Sequence, residues 1–182
     1  TLTQGSYTIT VTDANSCTIS TTITITKPPV LSVTNIASTT PTCVPGNDGS
    51  ITVTAGGGTP TYQYNIGGGN QASNVFNNVG SGNYTVTVTD QNGCTDSSSV
   101  IITEPTALVT TASTTASVSQ TGFSDGSATA SATGGTTPYT YSWNTGGTSA
   151  LETNLGAGTY SVTISDQNGC TDSASTVVSV LP

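Results

Sequence analysis

An all-β protein built of tandem antiparallel sandwiches is predicted by three observations. Apolar residues alternate with Thr and Ser in short runs, as Tyr84, Val86 and Val88 do with Thr85, Thr87 and Thr89. That is the two-residue period of a half-buried strand. Clusters of Gly, Pro, Asn and Asp separate these runs, and no segment carries a helical period. The pattern Gly-x-Tyr-x-Val/Ile-x-Val/Ile-x-Asp-x-Asn-x-Cys occurs three times, as Gly5–Cys17, Gly82–Cys94 and Gly158–Cys170. The cysteines lie 77 residues apart from Cys17 to Cys94 and 76 from Cys94 to Cys170. Such a period is too long for a solenoid coil and suits a small domain.

Aligning the two full copies gives the elements in order. Val30–Thr34 and Ala107–Thr111 read as first strands. Asn47-Asp48-Gly49-Ser50 and Ser124-Asp125-Gly126-Ser127 are turns, because Asp-Gly favours them. In the next strand Ile51, Val53 and Ala55 face inward, and Ala128, Ala130 and Ala132 take those places in the second copy. Gly56-Gly57-Gly58 and Gly134-Gly135 break the chain. A third strand carries Tyr62, Tyr64 and Ile66, or Tyr139, Tyr141 and Trp143, on one face. The second copy therefore sets small residues on one strand against a Trp on the next, which is volume compensation across a core.

A short segment with Val75 and Val79, or Leu151 and Leu155, precedes the signature strand. Asp-x-Asn-Gly then makes a hairpin turn. A last strand holds Val100 and Ile102, matched by Ile23 and Ile25. Proline in Thr26-Lys27-Pro28-Pro29 and Thr103-Glu104-Pro105 ends the pairing and stiffens short linkers. Six or seven short strands per copy, with a Tyr near the start of the penultimate strand, indicate an immunoglobulin-like sandwich. The expected organisation is a C-terminal hairpin of a preceding repeat at 1–27, then immunoglobulin-like repeats at 28–104 and 105–182. A lone hairpin is marginally stable, so the chain reads as part of a longer array.

Composition narrows the function. Hydrophobic residues make up 32% of the chain and charged residues 5%, so each core is thin and close packing matters more than volume. One cation, Lys27, against nine acids gives a net charge of −8. Phosphate binding needs clustered Lys and Arg, so nucleic acid is excluded as a partner and anionic lipid is disfavoured. No segment is apolar enough to span a membrane or to read as a signal peptide, and because the sequence begins partway through a repeat, a signal elsewhere in a longer chain is left open. The lack of Arg and Met, with Lys27 followed by Pro28, suits a protein exposed to proteases and oxidants outside the cell.

The set Asn-Asp-Gly-Ser, Gly-Gly-x-x-Pro-Tyr-x-Tyr-x-Trp and Gly-x-Tyr-x-Val-x-Val-x-Asp-x-Asn-Gly-Cys-Thr-Asp resembles the SprB-type repeat. It is fullest in Asp125–Ser127, Gly134–Trp143 and Gly158–Asp172. The first full copy departs from it at Ile66 and at Thr59-Pro60-Thr61, and the second lacks the early cysteine. The resemblance implies a very large secreted surface protein of the Bacteroidetes, of the kind that includes the mobile adhesin of gliding motility. It also implies export by the gliding-associated route and a filamentous form.

Few residues offer chemistry. An intradomain disulfide between Cys43 and Cys94 is expected if an even number of strands places both turns at one end. An odd number would make the pairing cross a domain junction. Within the intradomain scheme Cys17 has lost its partner and Cys170 is unpaired, since Gln120 stands at the partner position. A staple of this kind suits a thin-cored extracellular domain. Without His or a Cys-x-x-Cys pair, zinc is not expected.

Asp48, Asp90, Asp96, Asp125, Asp166 and Asp172 are calcium candidates by their oxygen ligands. The plainer reading is that Asp48 and Asp90 accept hydrogen bonds from their own turns. Ser173, in Asp172-Ser173-Ala174, is similar to a Bacteroidetes O-glycosylation acceptor, with an unmodified strand start as the alternative. Asn83-Tyr84-Thr85 fits an N-glycan sequon but opens a strand. The outward Thr rows fit ordinary β-propensity better than ice binding, and the inward phase of the aromatics fits core packing better than sugar stacking. No catalytic set is present, so no enzyme activity and no cofactor besides calcium are expected. The expected role is a structural stalk segment of an extracellular cell-surface adhesin or filament, with neighbouring repeats as partners. The alternatives are a glycan- or protein-binding adhesive module and a self-assembling fibre subunit contacting other copies.

Overall fold

The computed structural model describes residues 1–182 and contains fourteen β-strands and no helix. It comprises two compact units. The first is Thr1–Ile36 with Val53–Asn74 and Thr85–Ser99, and the second is Ala37–Thr52 with Val75–Tyr84 and Val100–Pro182.

In the first unit β1 (Gly5–Thr12) pairs antiparallel with β2 (Thr18–Ile25), from Gly5↔Ile25 to Thr12↔Thr18. Asp13 closes the turn by accepting the backbone N–H groups of Asn15 and Cys17 on Oδ1, each at 2.8 Å. Ile9 and Val11 of this hairpin are 47% and 60% exposed. Their counterparts in the next copy, Val86 and Val88 on β7 (Gly82–Thr89), are 0% exposed. An alternating strand has to bury one face, and β7 does so where β1 does not. The same unit pairs β5 (Gln63–Asn65) with β7, setting Tyr64 opposite Val88.

β7 also belongs to a sheet of order β5-β7-β8, where β8 is Thr95–Ile102. A second sheet has the order β3-β4-β6, from Ser32–Thr39, Gly49–Gly56 and Val75–Val79. The first strand thus begins later than expected. Val30 is 80% exposed and lies outside the sheet, and pairing starts at Ser32. Likewise β9 runs from Val109 to Ala116, not from Ala107.

The second unit holds six strands that show how these sheets are built. β12 (Leu151–Leu155), β10 (Gly126–Thr133) and β9 form one sheet in that order. β11 (Thr140–Trp143), β13 (Gly158–Ser165) and β14 (Thr171–Val178) form the other. Their facing residues make one core. Ala128, Ala130 and Leu155 come from the first sheet, and Trp143, Val162, Ile164 and Val178 from the second. Fully burying a Val or Ile side chain stabilises by about 1.5–3 kcal/mol. After β9 the chain changes sheets, because Val118 bridges Val180 in parallel and is itself fully buried. Two antiparallel sheets closed face to face in this way are an immunoglobulin-like sandwich, as the alternation predicts.

The short segments with Val75 and Val79, and with Leu151 and Leu155, are strands β6 and β12, each with one irregular residue. Asn154 has φ 60° and Asn78 has φ 58°. Each is the extra residue of a bulge, since Gly126 faces Leu155 while Ser127 faces Thr153, and Gly49 faces Val79 while Ser50 faces Asn77. Asn tolerates the left-handed conformation that such a bulge requires.

Candidate functional site

The Asp-x-Asn-Gly-Cys turn is the most elaborate polar structure in the chain. Between β13 and β14, Asp166 is buried and accepts on Oδ1 from the N–H groups of Asn168 and Cys170, both at 2.9 Å. Its Oδ2 accepts from Thr136 N–H at 2.8 Å, thirty residues away in sequence. Asn168 Nδ2 donates to Thr136 Oγ1 at 3.2 Å, and Gln167 N–H to the Thr136 carbonyl at 2.9 Å. One carboxylate therefore ties the hairpin turn to the Gly-Gly-Thr break. Gly134 and Gly135 have φ 71° and 57°, a region that disfavours any side chain. A Cβ on Gly135 would lie 2.8 Å from Asp166 Oδ2, so glycine is what lets the carboxylate approach. Burial raises the Asp166 pKa, but the backbone hydrogen bonds from Thr136, Cys170, Asn168 and Gly169 outweigh it and hold the group below the usual carboxylate range.

The first unit repeats this arrangement around Asp90. Oδ1 accepts from Asn92 N–H at 2.9 Å and Cys94 N–H at 2.8 Å, and Oδ2 from Thr59 N–H at 2.8 Å. The Thr59 bond is the main reason the Asp90 carboxyl is also held low.

The cystine joins Cys43 to Cys170, with Cα atoms 5.5 Å apart and 127 residues between them in sequence; both belong to the second unit. The expected Cys43–Cys94 pairing is corrected, as is the expectation that Cys170 is unpaired. Cys94 and Cys17 are exposed thiols. The second copy shows why. Its counterpart of Cys43, Gln120, precedes β10, whereas the Cys170 turn lies against Gly135, past the other end of that strand. Eight strand residues, about 25 Å of chain, separate the two positions. The count between them is even, four strands from β10 to β13, yet the positions lie at opposite ends because β11 and β12 run the same way, β12 antiparallel to β10 and β11 antiparallel to β13.

The Cys43 loop is held by Asp48, which accepts from Thr42 N–H at 2.9 Å and from the Thr42 hydroxyl at 2.5 Å. The hydroxyl bond is the largest influence keeping Asp48 deprotonated to lower pH. The Thr42 carbonyl oxygen lies 3.3 Å from Cys170 Sγ, a contact only, since a cystine sulfur has no proton to donate. Around the cystine, Thr42, Val44, Leu108, Thr136 and Asp166 line a cavity of about 270 Å³.

The remaining candidates are dispersed. Asp96 Oδ2 accepts from Val33 N–H at 2.7 Å and Asp172 Oδ2 from Thr110 N–H at 2.6 Å, so each reaches a neighbouring strand. Asp125 Oδ1 accepts from Ser119 N–H at 3.0 Å. No three His, Cys, Asp or Glu residues come together in a group that could hold a metal. The six calcium candidates therefore do not converge, because each is engaged with backbone. Ser173 is exposed on β14, opposite Thr163. Tyr64 and Trp143 are buried and Tyr62, Tyr139 and Tyr141 half-buried, in line with their inward phase. Trp143 satisfies its indole N–H on the Ser149 carbonyl at 2.9 Å. The reach of Asp166 to Thr136 was not expected. Its signal was the co-occurrence in both copies of a Gly-Gly/Gly-Gly-Thr break and the Asp of the turn. No helix is long and apolar enough to cross a membrane.

The SprB repeat family model matches the chain twice, at residues 35–71 and 112–148, which is one period apart and agrees with the sequence resemblance. The chain matches no curated protein. Among solved structures it is similar to a C-terminal 282-residue fragment of intimin in complex with the intimin-binding domain of the translocated intimin receptor. That match has 15% identity and a TM-score of 0.35, over 81% of this chain and 64% of that one. It is also similar to the N-terminal eight Ig domains of Down Syndrome Cell Adhesion Molecule, with 11% identity and a TM-score of 0.40, over 96% of this chain and 30% of that one. The amphioxus IgVJ-C2 molecule matches with 15% identity and a TM-score of 0.30, over 68% and 91%. The chain thus spans less than two thirds of the first two.

Proposed function

From two SprB repeats set one period apart, we propose that this chain is a load-bearing stalk segment of an extracellular, cell-surface adhesin or filament, without enzymatic activity. The observation that carries this reading is the Cys43–Cys170 cystine, which fastens the first full copy of the repeat covalently to the second. A cross-link between copies does nothing for a ligand pocket, but it limits how far a tandem array can extend. Disulfides persist in oxidising surroundings, which supports a place outside the cell. The one cation leaves little with which to grip an anionic partner. The large aromatics are committed to the cores, which leaves no row of exposed rings for stacking on sugars.

Two measurements test this. Stretching single molecules by their ends should show a reductant-dependent gain in length, since the cystine shields the chain it spans. A glycan array probed with the 182-residue chain should be blank. Saturable binding to a defined glycan would replace the stalk by an adhesive module. Concentration-dependent fibres of the purified chain would favour a self-assembling subunit.

A further inference from the structure

Two equivalent grooves exist in this chain, and only one of them has a cysteine loop seated against it. Beside Cys170 the walls are Thr106, Leu108, Gly135, Thr136 and Asp166, and the Thr42–Val44 loop lies among them with its cysteine bonded to the turn. One period earlier, Pro29, Leu31, Gly58, Thr59 and Asp90 line a cavity of about 280 Å³ beside Cys94. The framework is the same in detail. Gly58 N–H donates to the Pro29 carbonyl at 2.6 Å, as Gly135 N–H does to that of Thr106 at 3.0 Å. Asp90 receives Thr59 and Cys94 as Asp166 receives Thr136 and Cys170. At Cys94, however, no loop is present and the thiol is exposed.

We propose that the groove beside Cys94 is a docking site for a Pro-Thr-Cys-Val-Pro loop of the Cys43 type, carried by another copy of the repeat and fixed there by a disulfide to Cys94. The equivalent groove supplies the occupant, because it holds that very loop. The direction is set as well, since a loop cysteine of one copy joins the turn cysteine of the copy that follows. Gln120 replaces the loop cysteine in the second copy, so this copy accepts a staple and cannot give one. In the bond-forming step two thiols lose two protons and two electrons to a disulfide-bearing oxidant, which leaves as two thiols. Docking at Cys94 extends the stalk reading without depending on it, because a coupling rate reports nothing about load.

The test uses the intact 182-residue chain and a synthetic peptide of Pro41–Gly46 whose cysteine is activated as a 2-thiopyridyl mixed disulfide. Thiolate attack by the protein forms the new disulfide and releases thiopyridone. Cys17 is the internal control. It sits on the same Asp-closed turn, but no residue of this chain stands where Leu31, Gly58 and Thr59 stand for Cys94. Adduct formation is followed at each cysteine by mass spectrometry. The expected result is coupling at Cys94 about tenfold or more faster than at Cys17, with the preference lost when the peptide sequence is scrambled around its cysteine. Equal rates at the two cysteines, or the same preference with the scrambled peptide, would overturn the assignment.

Discussion

The phenol of Tyr160 donates a hydrogen bond to the carbonyl oxygen of Gly156, four residues back, at 3.0 Å. The same four-residue reach is made by Tyr84 to Gly80 at 3.1 Å and by Tyr7 to Thr3 at 2.8 Å. The Tyr of the signature strand thus pins the loop that feeds that strand, which is the tyrosine corner its position predicts. Tyr160→Phe keeps the half-buried ring and leaves the Gly156 carbonyl without this donor. Its expected cost is about 1 kcal/mol, read as a lower urea midpoint at unchanged slope. A change within error would mean that water replaces the phenol there.

The two copies fill equivalent cores with different residues. Ile51 and Val53 are fully buried on β4, where β10 has Ala128 and Ala130. Trp143 is 3% exposed and shares a core with both alanines. Ala128→Ile should therefore overpack that core, at a cost of about 1–3 kcal/mol. Adding Trp143→Ile makes the space, so the double variant should be more stable than the sum of the two single effects predicts, with coupling of about 0.5–3 kcal/mol. Strict additivity in chemical denaturation would show that these positions do not compensate.

Strand by strand, legibility in the sequence followed how much of the physics was local. β7 and β13 could be read because their alternation is uninterrupted and every inward residue is Tyr, Val or Ile. β6 and β12 could not, because Asn78 and Asn154 break the alternation with a bulge and Val75 and Leu151 face solvent. Val30 is apolar yet exposed, and it drew the first strand forward. The turn role of Asp90 and Asp166 was local and so visible, whereas their bonds to Thr59 and Thr136 depend on which loops share an end of the sandwich. The cystine failed for that same reason, since parity places a turn only where successive strands alternate in direction, and β11 and β12 run the same way because each is antiparallel to a strand of a different sheet.

Five carboxylates, Asp48, Asp90, Asp125, Asp166 and Asp172, are held below their ordinary pKa. The unfolded chain therefore binds protons at higher pH than the folded chain does. Their contribution to stability is complete above the unfolded value, about 4, and is lost as pH falls through the lower folded values. The melting temperature should be flat from pH 7 to 5 and fall steeply below about pH 4. Asp166→Asn should lower the plateau and make the acid loss shallower, because the amide presents N–H groups where the turn already supplies donors. An unchanged acid limb in that variant would assign the effect to the other four groups.

Pulling on the two ends loads only the chain outside the Cys43–Cys170 link. The cystine spans a sequence separation of 127 residues, which carry no force while it is intact. Extended chain measures about 3.3–3.6 Å per residue, so reduction should release roughly 420–460 Å of additional length in single-molecule stretching. Cys43→Ser should show the long extension with or without reductant. β10, β11, β12 and β13 all lie inside the linked segment, so these four strands of the second sandwich carry no force until the bond is broken, whereas β14 lies outside it. Equal lengths in oxidising and reducing buffer would mean that the link is absent in solution, and the mechanical reading would fall with it.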